Sequence, residues 1–318
     1  MNKKIFVTGA AGYIGAAISR KLVHSGHEVL GLTHSKAKAP LLLKEGIKPI
    51  FGDLNAPQTY ARSLKACDVI IHAAFENGPK GPSTDRYALK TIGAALKSAK
   101  ARRLFIYTSG VWILGRQLSK AADRASARKC RFRICWKAAD EKTPPHPLPN
   151  VAWRPEHETI ALQFSGGPAT ALVVRPGCVY GGKGGLYGEM IQSAIERRMI
   201  RLVGEGMNRW ANVHIDDLAD LYLLLVEKAL SGGIYHATDG SFEPVKKIAE
   251  AFLNAAGGGR LEHEPLEDAR KILGPFADAL ALNQRVSSDK SKKEFGWKPK
   301  YNSVADNAKL LIQQWATG

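Results

Sequence analysis

The sequence predicts an α/β protein built on a doubly wound parallel β-sheet, with a smaller C-terminal lobe. Through residues 1–180, short and almost continuously apolar runs alternate with segments of helical periodicity. These runs lack the alternation of a half-exposed strand, which is typical of parallel strands that helices cover on both faces. Beyond Gly181 the chain turns to Gly-rich loops and shorter elements, which favour a separate lobe beside the sheet.

The predicted elements follow one another in the order strand, helix, strand. The helix after the first strand carries Ile14, Ile18 and Leu22 on one face and has Gly26 as its stop signal. Another helix is predicted over residues 87–100, ahead of the fifth strand. The predicted strands are KKIFVTG, HEVLGLT, IKPIFGDL, ACDVIIHAA, RLFIYTS and TALVVRPG.

The positive charge of the chain is concentrated in its first half. The net charge is +17, and residues 1–142 carry 26 Lys and Arg against 9 Asp and Glu, so the whole excess lies there. Such a field attracts phosphorylated ligands and can attract nucleic acid without specificity. Because no recognition module for nucleic acid is visible, we expect no specific nucleic-acid partner.

The sequence carries no signal for export, a membrane or a metal. MNKK runs directly into the apolar IFV, and 18 consecutive apolar residues occur nowhere. The four cysteines, Cys67, Cys130, Cys135 and Cys178, are too few and scattered for a disulfide framework, and no Cys/His spacing matches a zinc site. We therefore expect a cytoplasmic protein with reduced thiols, no metal and no membrane contact.

A duplicated tetrapeptide marks one irregular stretch. KAAD occurs at residues 120–123 and again at 137–140, with the basic segment RASARKCRFRICW between the copies. Removal of Arg124–Asp140 would leave a continuous LSKAADEKTPP loop. Two interpretations stay open: an insertion at 124–140, including one from a gene-model or splicing artefact, and a genuine basic surface loop.

The segment VTGAAGYIG predicts a dinucleotide site at the junction of the first strand and first helix. Gly9 permits a tight turn, Gly12 lets the backbone approach a pyrophosphate, and Gly15 allows the helix to pack on the strand. The free N–H groups of the helix N-terminus then face the phosphates. We expect Tyr13 and Ile14, between these glycines, to contact the cofactor as well.

Several ordered motifs resemble the extended short-chain dehydrogenase/reductase family, also called the NAD-dependent epimerase/dehydratase family. After the glycine motif come GDL at residues 52–54, HAA at 72–74, RPGCVYG at 175–181 and VHIDDLAD at 213–220. The resemblance spans nearly the whole chain and implies a Rossmann-like fold. It implies cofactor contacts at Asp53 beside the adenine, at Ala73 and Ala74, and at Pro176 beside the nicotinamide. We expect Leu54 and Thr108 to contact the cofactor as well. Asp53 could instead be a turn residue only, and we interpret the helix that opens at His214 as a simple capping segment.

The end of the second strand favours NADP over NAD. An NAD enzyme needs an acid there to bind the ribose 2′-OH, but the strand ends with Thr33, His34, Ser35, Lys36 and Lys38. A hydroxyl and two cations suit a 2′-phosphate, which a carboxylate would repel. The alternative is a solvated loop.

The catalytic pair of the resembled family is missing. Where that family has Tyr and, four residues on, Lys, this chain has Trp153 and His157, and the family's Ser or Thr falls on Gly110. An indole cannot exchange a proton as a phenol does. His157 could serve as acid or base, and Arg154 could polarise an oxygen. We expect His157, Arg154 and Ser109 to replace the usual trio, with a surface role as the alternative for His157 and Arg154.

Two functions from different classes remain open. The first is an NADP(H)-dependent oxidoreductase or epimerase acting on a carbonyl or hydroxyl of a small-molecule or sugar-like substrate. The second is an inactive NADP-binding sensor or interaction protein. We expect residues 1–180 to bind the dinucleotide and residues 181–318 to form mainly the substrate lobe, with 213–238 returning to the sheet. A homodimer is left open.

Overall fold

A central parallel sheet forms the body of the molecule, as the apolar runs predict. The structure is a computed structural model that describes residues 2–116, 138–229 and 231–317. Its strands are β1 (Lys4–Thr8), β2 (Glu28–Thr33), β3 (Lys48–Phe51), β4 (Val69–His72), β5 (Arg103–Thr108), β6 (Ala169–Pro176), β7 (Cys178–Tyr180), β8 (Met199–Val203), β9 (Asn212–His214), β10 (Gly233–Ala237) and β11 (Arg260–Glu264).

Helices connect the strands and cover the sheet. The helix predicted over residues 87–100 begins earlier, at Gly81, and ends at Lys97. Pro82 suits this early start because a backbone N–H has no helical partner in the first turn. None of the helices in the described part of the chain is both long and apolar enough to cross a membrane. The helices are α1 (Tyr13–His24), α2 (Ala39–Lys44), α3 (Ala61–Lys65), α4 (Gly81–Lys97), α5 (Arg154–Leu162), α6 (Gly185–Arg197), α7 (Ile215–Lys228), α8 (Val245–Ala255), α9 (Leu266–Leu273), α10 (Phe276–Leu280), α11 (Asp289–Phe295) and α12 (Ala308–Thr317).

The strand order creates a crevice at the middle of the sheet. Seven strands pair in the order β3-β2-β1-β4-β5-β6-β10, and each pair is parallel. The order reverses between β1 and β4, whose last residues, Thr8 and His72, are partners. Ligands of open α/β sheets bind outside the carboxyl ends of the strands at such a switch point. The predicted fold class, a doubly wound Rossmann-like sheet, is therefore confirmed.

Helices bury both faces of the sheet. Ile5 and Val7 of β1 pack into the layer that holds α1 and α7, whereas Phe6 points to the layer of α4 and α5. Within these layers α1 contacts α7, and α4 contacts α5. Both sides of each central strand are therefore covered, which explains why the strand sequences are apolar without alternation.

The smaller lobe has its own aromatic core. Two short parallel sheets, β8 with β11 and β7 with β9, belong to it. Tyr187, Trp210 and Phe252 are buried together there, and the ring centroids of Tyr187 and Trp210 are 5.6 Å apart. In the middle of this part the chain crosses back to the main sheet, where α7 packs on α1 and β10 pairs with β6.

The suspected insertion lies mostly outside the described residues. Residues 117–137, which include Cys130, Cys135 and the first KAAD copy, are not among them. The end of the second copy is described: Ala139 forms a parallel bridge with Val286, and the backbone N–H of Asp140 donates a hydrogen bond to the hydroxyl of Thr143. The second KAAD copy therefore ends in ordered structure against the lobe.

Candidate active site

The turn between β1 and α1 has little room for side chains. Gly9 has φ +71°, and a Cβ there would lie 2.7 Å from the Cα of Ala74. A Cβ at Gly15 would lie 2.2 Å from the carbonyl oxygen of Gly9. At Gly12 a Cβ would approach only that same oxygen, at 3.2 Å. The first N–H groups of α1 have no side-chain cap, so the open side of Gly12 suits a pyrophosphate.

Thr8 fixes the HAA turn beside these glycines. Its hydroxyl oxygen accepts hydrogen bonds from the backbone N–H groups of Ala73 and Ala74, each at 3.2 Å. The hydroxyl proton therefore points to Nδ1 of His72, at 2.7 Å, which leaves the ring proton on Nε2. Because His72 then donates from Nε2 to Asp85, the cofactor turn is tied to the buried interior of the protein.

The end of β2 presents cations without carboxylate partners. The hydroxyl of Thr33 is buried and accepts a hydrogen bond from the backbone N–H of Ser35, at 3.1 Å. His34, Lys36 and Lys38 are exposed, and neither lysine forms an ion pair with a carboxylate of the described residues. This end of the strand therefore fits a phosphate group on the adenine ribose.

Asp53 takes part in a turn next to this strand end. It is exposed, and its Oδ1 accepts a hydrogen bond from the backbone N–H of Asn55 at 2.8 Å. The turn interpretation therefore holds for this oxygen, while Oδ2 stays accessible to an adenine. Leu54, its neighbour, packs against the sheet.

The helix opening at His214 is a capping segment, as interpreted from the sequence. His214 is the N-cap of α7, and its Nδ1 accepts a hydrogen bond from the backbone N–H of Asp216 at 3.2 Å. Asp216 and Asp217 lie in the first turn of α7, where carboxylates suit the helix dipole.

A cavity of about 940 Å³ lies between the sheet and the smaller lobe. Tyr13 and Ile14 of the cofactor turn line one end, together with Ser109 and Pro176 at the carboxyl ends of β5 and β6. Its size is in the upper part of the range for small-molecule sites, about 300–1,000 Å³. Other lining residues that matter for its chemistry are Phe75, Gly110, Trp112, Trp153, Arg154, Cys178, Leu186 and Phe276.

Arg154 lies against two aromatic rings at the wall of this cavity. The rings of Phe75 and Trp153 are stacked with 3° between their planes and 6.4 Å between their centroids. The guanidinium carbon of Arg154 lies 5.2 Å from the Phe75 centroid and 4.6 Å from that of Trp153. Among the described residues no carboxylate pairs with Arg154, so its charge is available to an anionic oxygen.

The segment after β5 offers one free hydroxyl and one open space. Ser109 is buried, lines the cavity, and its Oγ has no hydrogen-bond partner among the described residues. A Cβ at Gly110 would meet only the carbonyl oxygen of Pro176, at 4.0 Å, so a side chain fits there. The hydroxyl of Thr108, predicted to contact the cofactor, is instead bonded to the Tyr222 hydroxyl at 2.6 Å.

His157 lies outside the cavity, which corrects its predicted role. It is 1% exposed, and its Nδ1 donates a hydrogen bond to Oδ2 of Asp85 at 2.5 Å. It is absent from the described lining of the cavity, and its ring packs edge-on against Trp153. Since α5 begins at Arg154, His157 falls one turn later on the inner face of the helix. His157 is therefore placed to position Trp153 and Arg154, and it does not touch a substrate as acid or base.

Asp85 is the acceptor at the centre of this buried group. Its Oδ1 accepts from Nε2 of His72 at 3.1 Å, and its Oδ2 accepts from the hydroxyl of Tyr107 at 2.9 Å. Burial raises the pKa of Asp85, but the hydrogen bonds from His157 and His72 outweigh it and hold that pKa well below its usual range. Through these hydrogen bonds the Asp85 carboxylate connects β4, β5 and α5.

Glu158 has a partner that the sequence did not reveal. Glu156, in the first turn of α5, is exposed beside Arg86 and suits the helix dipole. Glu158 is instead buried, and its carboxylate accepts from Nε and Nη2 of Arg175 at 3.0 and 2.6 Å. This ion pair fixes the RPG segment, and with it Pro176 at the cavity wall, against α5.

Two groups were missed by reasoning from the sequence. Asp85 lies on the same helical face as Leu89 and Ile92, and a carboxylate on an otherwise apolar face is a signal that could have found it. Trp112 and Phe276 line the cavity from segments far apart in sequence, so no local pattern could have paired them.

Comparisons with known proteins agree with this geometry. The profile of the NAD dependent epimerase/dehydratase family matches residues 5–111. An uncharacterized protein of Schizosaccharomyces pombe is 30% identical over 311 residues, covering 95% of this chain and 96% of its own length. A ketoreductase of Stigmatella aurantiaca, which acts on 4-hydroxy-2-methyl-3-oxo-4-farnesyl-3,4-dihydroquinoline-1-oxide, is 26% identical and covers 92% of this chain and 91% of its own.

Solved structures share the fold over almost the full chain. A human epimerase family protein with NADPH superposes with a TM-score of 0.79 at 20% identity, covering 98% of this chain and 99% of that one. At this identity the likeness establishes the fold of the two proteins. The chemistry depends on the residues described above.

Proposed function

The chain belongs to the NAD-dependent epimerase/dehydratase family of extended short-chain dehydrogenases/reductases, and on this premise we propose that it is an NADP(H)-dependent oxidoreductase acting on a carbonyl or hydroxyl of a small molecule. One observation carries the proposal. Ser109, whose hydroxyl has no hydrogen-bond partner among the described residues, lines the cavity together with Pro176 and with Arg154, which pairs with no carboxylate of the described part of the chain. A site that only bound a dinucleotide would have no need of a cavity with these two groups.

The cofactor fits the residues of the first βα unit. Gly9, Gly12 and Gly15 leave space for a pyrophosphate at the start of α1. Lys36 and Lys38 supply charge for a 2′-phosphate, and no carboxylate of the described residues forms an ion pair with either of them, which supports NADP over NAD.

Two residues of the cavity act on the substrate oxygen in different ways. When bound, the nicotinamide supplies or accepts the hydride. In the reducing direction, Ser109 donates a hydrogen bond from Oγ to the carbonyl oxygen, and Arg154 stabilises the negative charge that develops on it. Phe75 is 57% exposed at the mouth of the cavity, so water reaches this region and provides the proton that completes the alcohol.

Other ionisable groups of the cavity stay protonated. Burial raises the pKa of the Cys178 thiol to about 12, which removes it as a nucleophile at neutral pH. Burial also raises the pKa of Tyr13, whose hydroxyl donates to the carbonyl oxygen of Gly181 at 2.6 Å. Neither residue replaces the missing Tyr, so the chemistry depends on Ser109 and Arg154.

One observation supports the second function, an inactive NADP sensor. Trp153 cannot exchange a proton, and His157 is buried behind it. The two functions differ in whether Ser109, Arg154 and water are enough for turnover.

The test is cofactor binding together with turnover. Trp112 and Trp153 line the cavity, so quenching of tryptophan fluorescence reports binding of NADPH and NADH. We expect NADPH to bind more tightly, and Gly12→Val to abolish binding because its side chain takes the place of the pyrophosphate. Its Cβ would lie 3.2 Å from the Gly9 carbonyl oxygen, so a thermal melt accompanies the titration to show that the variant is folded. Wild-type protein that binds neither nucleotide would contradict the proposal, and binding without any turnover would favour the sensor.

A further inference from the structure

The far end of the cavity is walled by aromatic and aliphatic side chains from both parts of the protein. Trp112 and Phe276 contact each other there, with ring centroids 6.1 Å apart and 57° between the planes. Leu186 and Val179 add aliphatic surface from the lobe nearer to Tyr13 of the cofactor turn. A substrate that reaches Ser109 with its oxygen therefore places the rest of its body against apolar walls.

Charge is confined to the other end. Among the described lining residues, Arg154 is the one with a charged side chain, and it lies beside the reacting end. Lys183 and Arg209 belong to the same lobe, but they lie over the rings of Trp315 and Phe242 and do not line the cavity. A buried phosphate needs cations or several N–H donors, and the apolar far end offers no charged side chain among the residues described.

We propose that the substrate is an apolar ketone, or the matching secondary alcohol, without a phosphate group, and that nucleotide sugars are excluded. This rests on the proposed function, because it takes the reacting oxygen to lie at Ser109 and Arg154. The apolar body then extends toward Trp112 and Phe276. A nucleotide sugar would bring its negatively charged diphosphate against these rings, where it would lose water without meeting a charged side chain among the described lining residues.

Phe276 is the residue that determines this specificity. It follows Pro275 at the start of α10 and lines the cavity against Trp112. A contact with the apolar body of the substrate, away from the bond that reacts, is the same in the ground state and the transition state. Loss of such a contact raises KM and leaves kcat unchanged. For Phe276→Ala we expect KM for an apolar ketone to rise roughly 10-fold or more, the effect of losing a buried aromatic contact.

The matched control is Phe242→Ala. Phe242 lies in the same lobe with Arg209 against its ring, but it does not line the cavity. We expect this variant to keep the wild-type KM. Equal effects of the two substitutions would show that Phe276 acts through the stability of the lobe, which would overturn its assignment as a specificity residue.

The experiment compares substituted cyclohexanones, decalones and aryl alkyl ketones, assayed with NADPH, with UDP-glucose and dTDP-glucose, assayed with NADP⁺. We expect turnover for the ketones alone, and binding of the matching alcohols to the NADP⁺-loaded protein by fluorescence. Turnover of a nucleotide sugar at or above the ketone rate would overturn the substrate class and leave the oxidoreductase intact. Binding of apolar alcohols without any turnover would support the substrate class while contradicting the proposed function. Failure of the ketones and alcohols to bind would overturn the class.

Discussion

Nδ1 of His157 lies 2.5 Å from Oδ2 of Asp85, and both side chains are buried. This bond joins α5, which carries Arg154, to α4, and both helices cover the same face of the sheet. Asp85 also accepts from His72, which holds the turn at Ala73 through Thr8. The cofactor turn and the arginine of the cavity therefore depend on the same carboxylate.

Substitution of His157 separates a positioning role from acid-base chemistry. In His157→Ala, Asp85 loses a donor while it stays buried, so we expect the free energy of unfolding to fall by roughly 1–3 kcal/mol. In His157→Asn, the side-chain amide can replace Nδ1 as donor, and stability and turnover should largely return. Chemical denaturation measures the stability of each variant, and kcat measures its turnover. An Asn variant that is stable but as inactive as the Ala variant would restore His157 as acid or base.

Gly110→Ser should add a hydroxyl where the chain has space for one. Its Cβ would meet only the carbonyl oxygen of Pro176, at 4.0 Å, so the fold and NADPH affinity should not change. A new hydrogen bond to the developing oxyanion should raise kcat/KM for a ketone by roughly 10-fold. Gly110→Ala is the control, since it adds the Cβ without the hydroxyl. A gain of equal size in the Ala variant would refute the hydrogen-bond explanation.

Reversal of charge at the end of β2 tests the NADP preference. Lys36→Glu or Lys38→Glu should each raise the Kd for NADPH by roughly five-fold, about 1 kcal/mol, because each removes an attraction to the 2′-phosphate and adds a repulsion. The Kd for NADH should not move. Lys44→Glu makes the same change in charge from an exposed position in α2 and is the control. If Lys44→Glu weakens NADPH binding as much, the overall field of the protein is responsible.

The fold could be predicted because its signals are local. Apolar runs such as VIIH at β4, and the glycines of the first turn, identify parallel strands and a dinucleotide site within a few residues. The apolar periodicity of α4 is clear only from Tyr87, so the predicted start falls later than the observed one. In the structure Pro82 already lies in the first turn.

The catalytic assignment could be predicted only in part. Arg154 and Ser109 line the cavity because they end or follow elements at the carboxyl edge of the sheet. The spacing of four residues from Trp153 predicts a catalytic role for His157. That spacing does not reveal which face of α5 is buried against Asp85. The wall formed by Trp112 and Phe276 joins residues 164 positions apart and needs the folded structure.

Excision of Arg124–Asp140 should leave the fold and NADPH affinity intact. The remaining KAAD would take the place of the second copy, so Ala122 could form the bridge that Ala139 makes with Val286. A cooperative melt near the wild-type temperature is the expected result. Deletion of residues 120–140 removes both copies and should lower that temperature. Insoluble protein after the shorter deletion would show that the segment is a structural part of the protein.

Transfer of deuterium from 4-deuterated NADPH to an apolar ketone, followed by mass spectrometry of the alcohol, tests the oxidoreductase proposal most directly. We predict one deuterium at the carbinol carbon with wild-type protein. Arg154→Met should lower the rate by about 100-fold or more while NADPH still binds, because the oxyanion loses its cation. Unlabelled ketone recovered from protein saturated with NADPH, or undiminished labelling by Arg154→Met, would contradict the account.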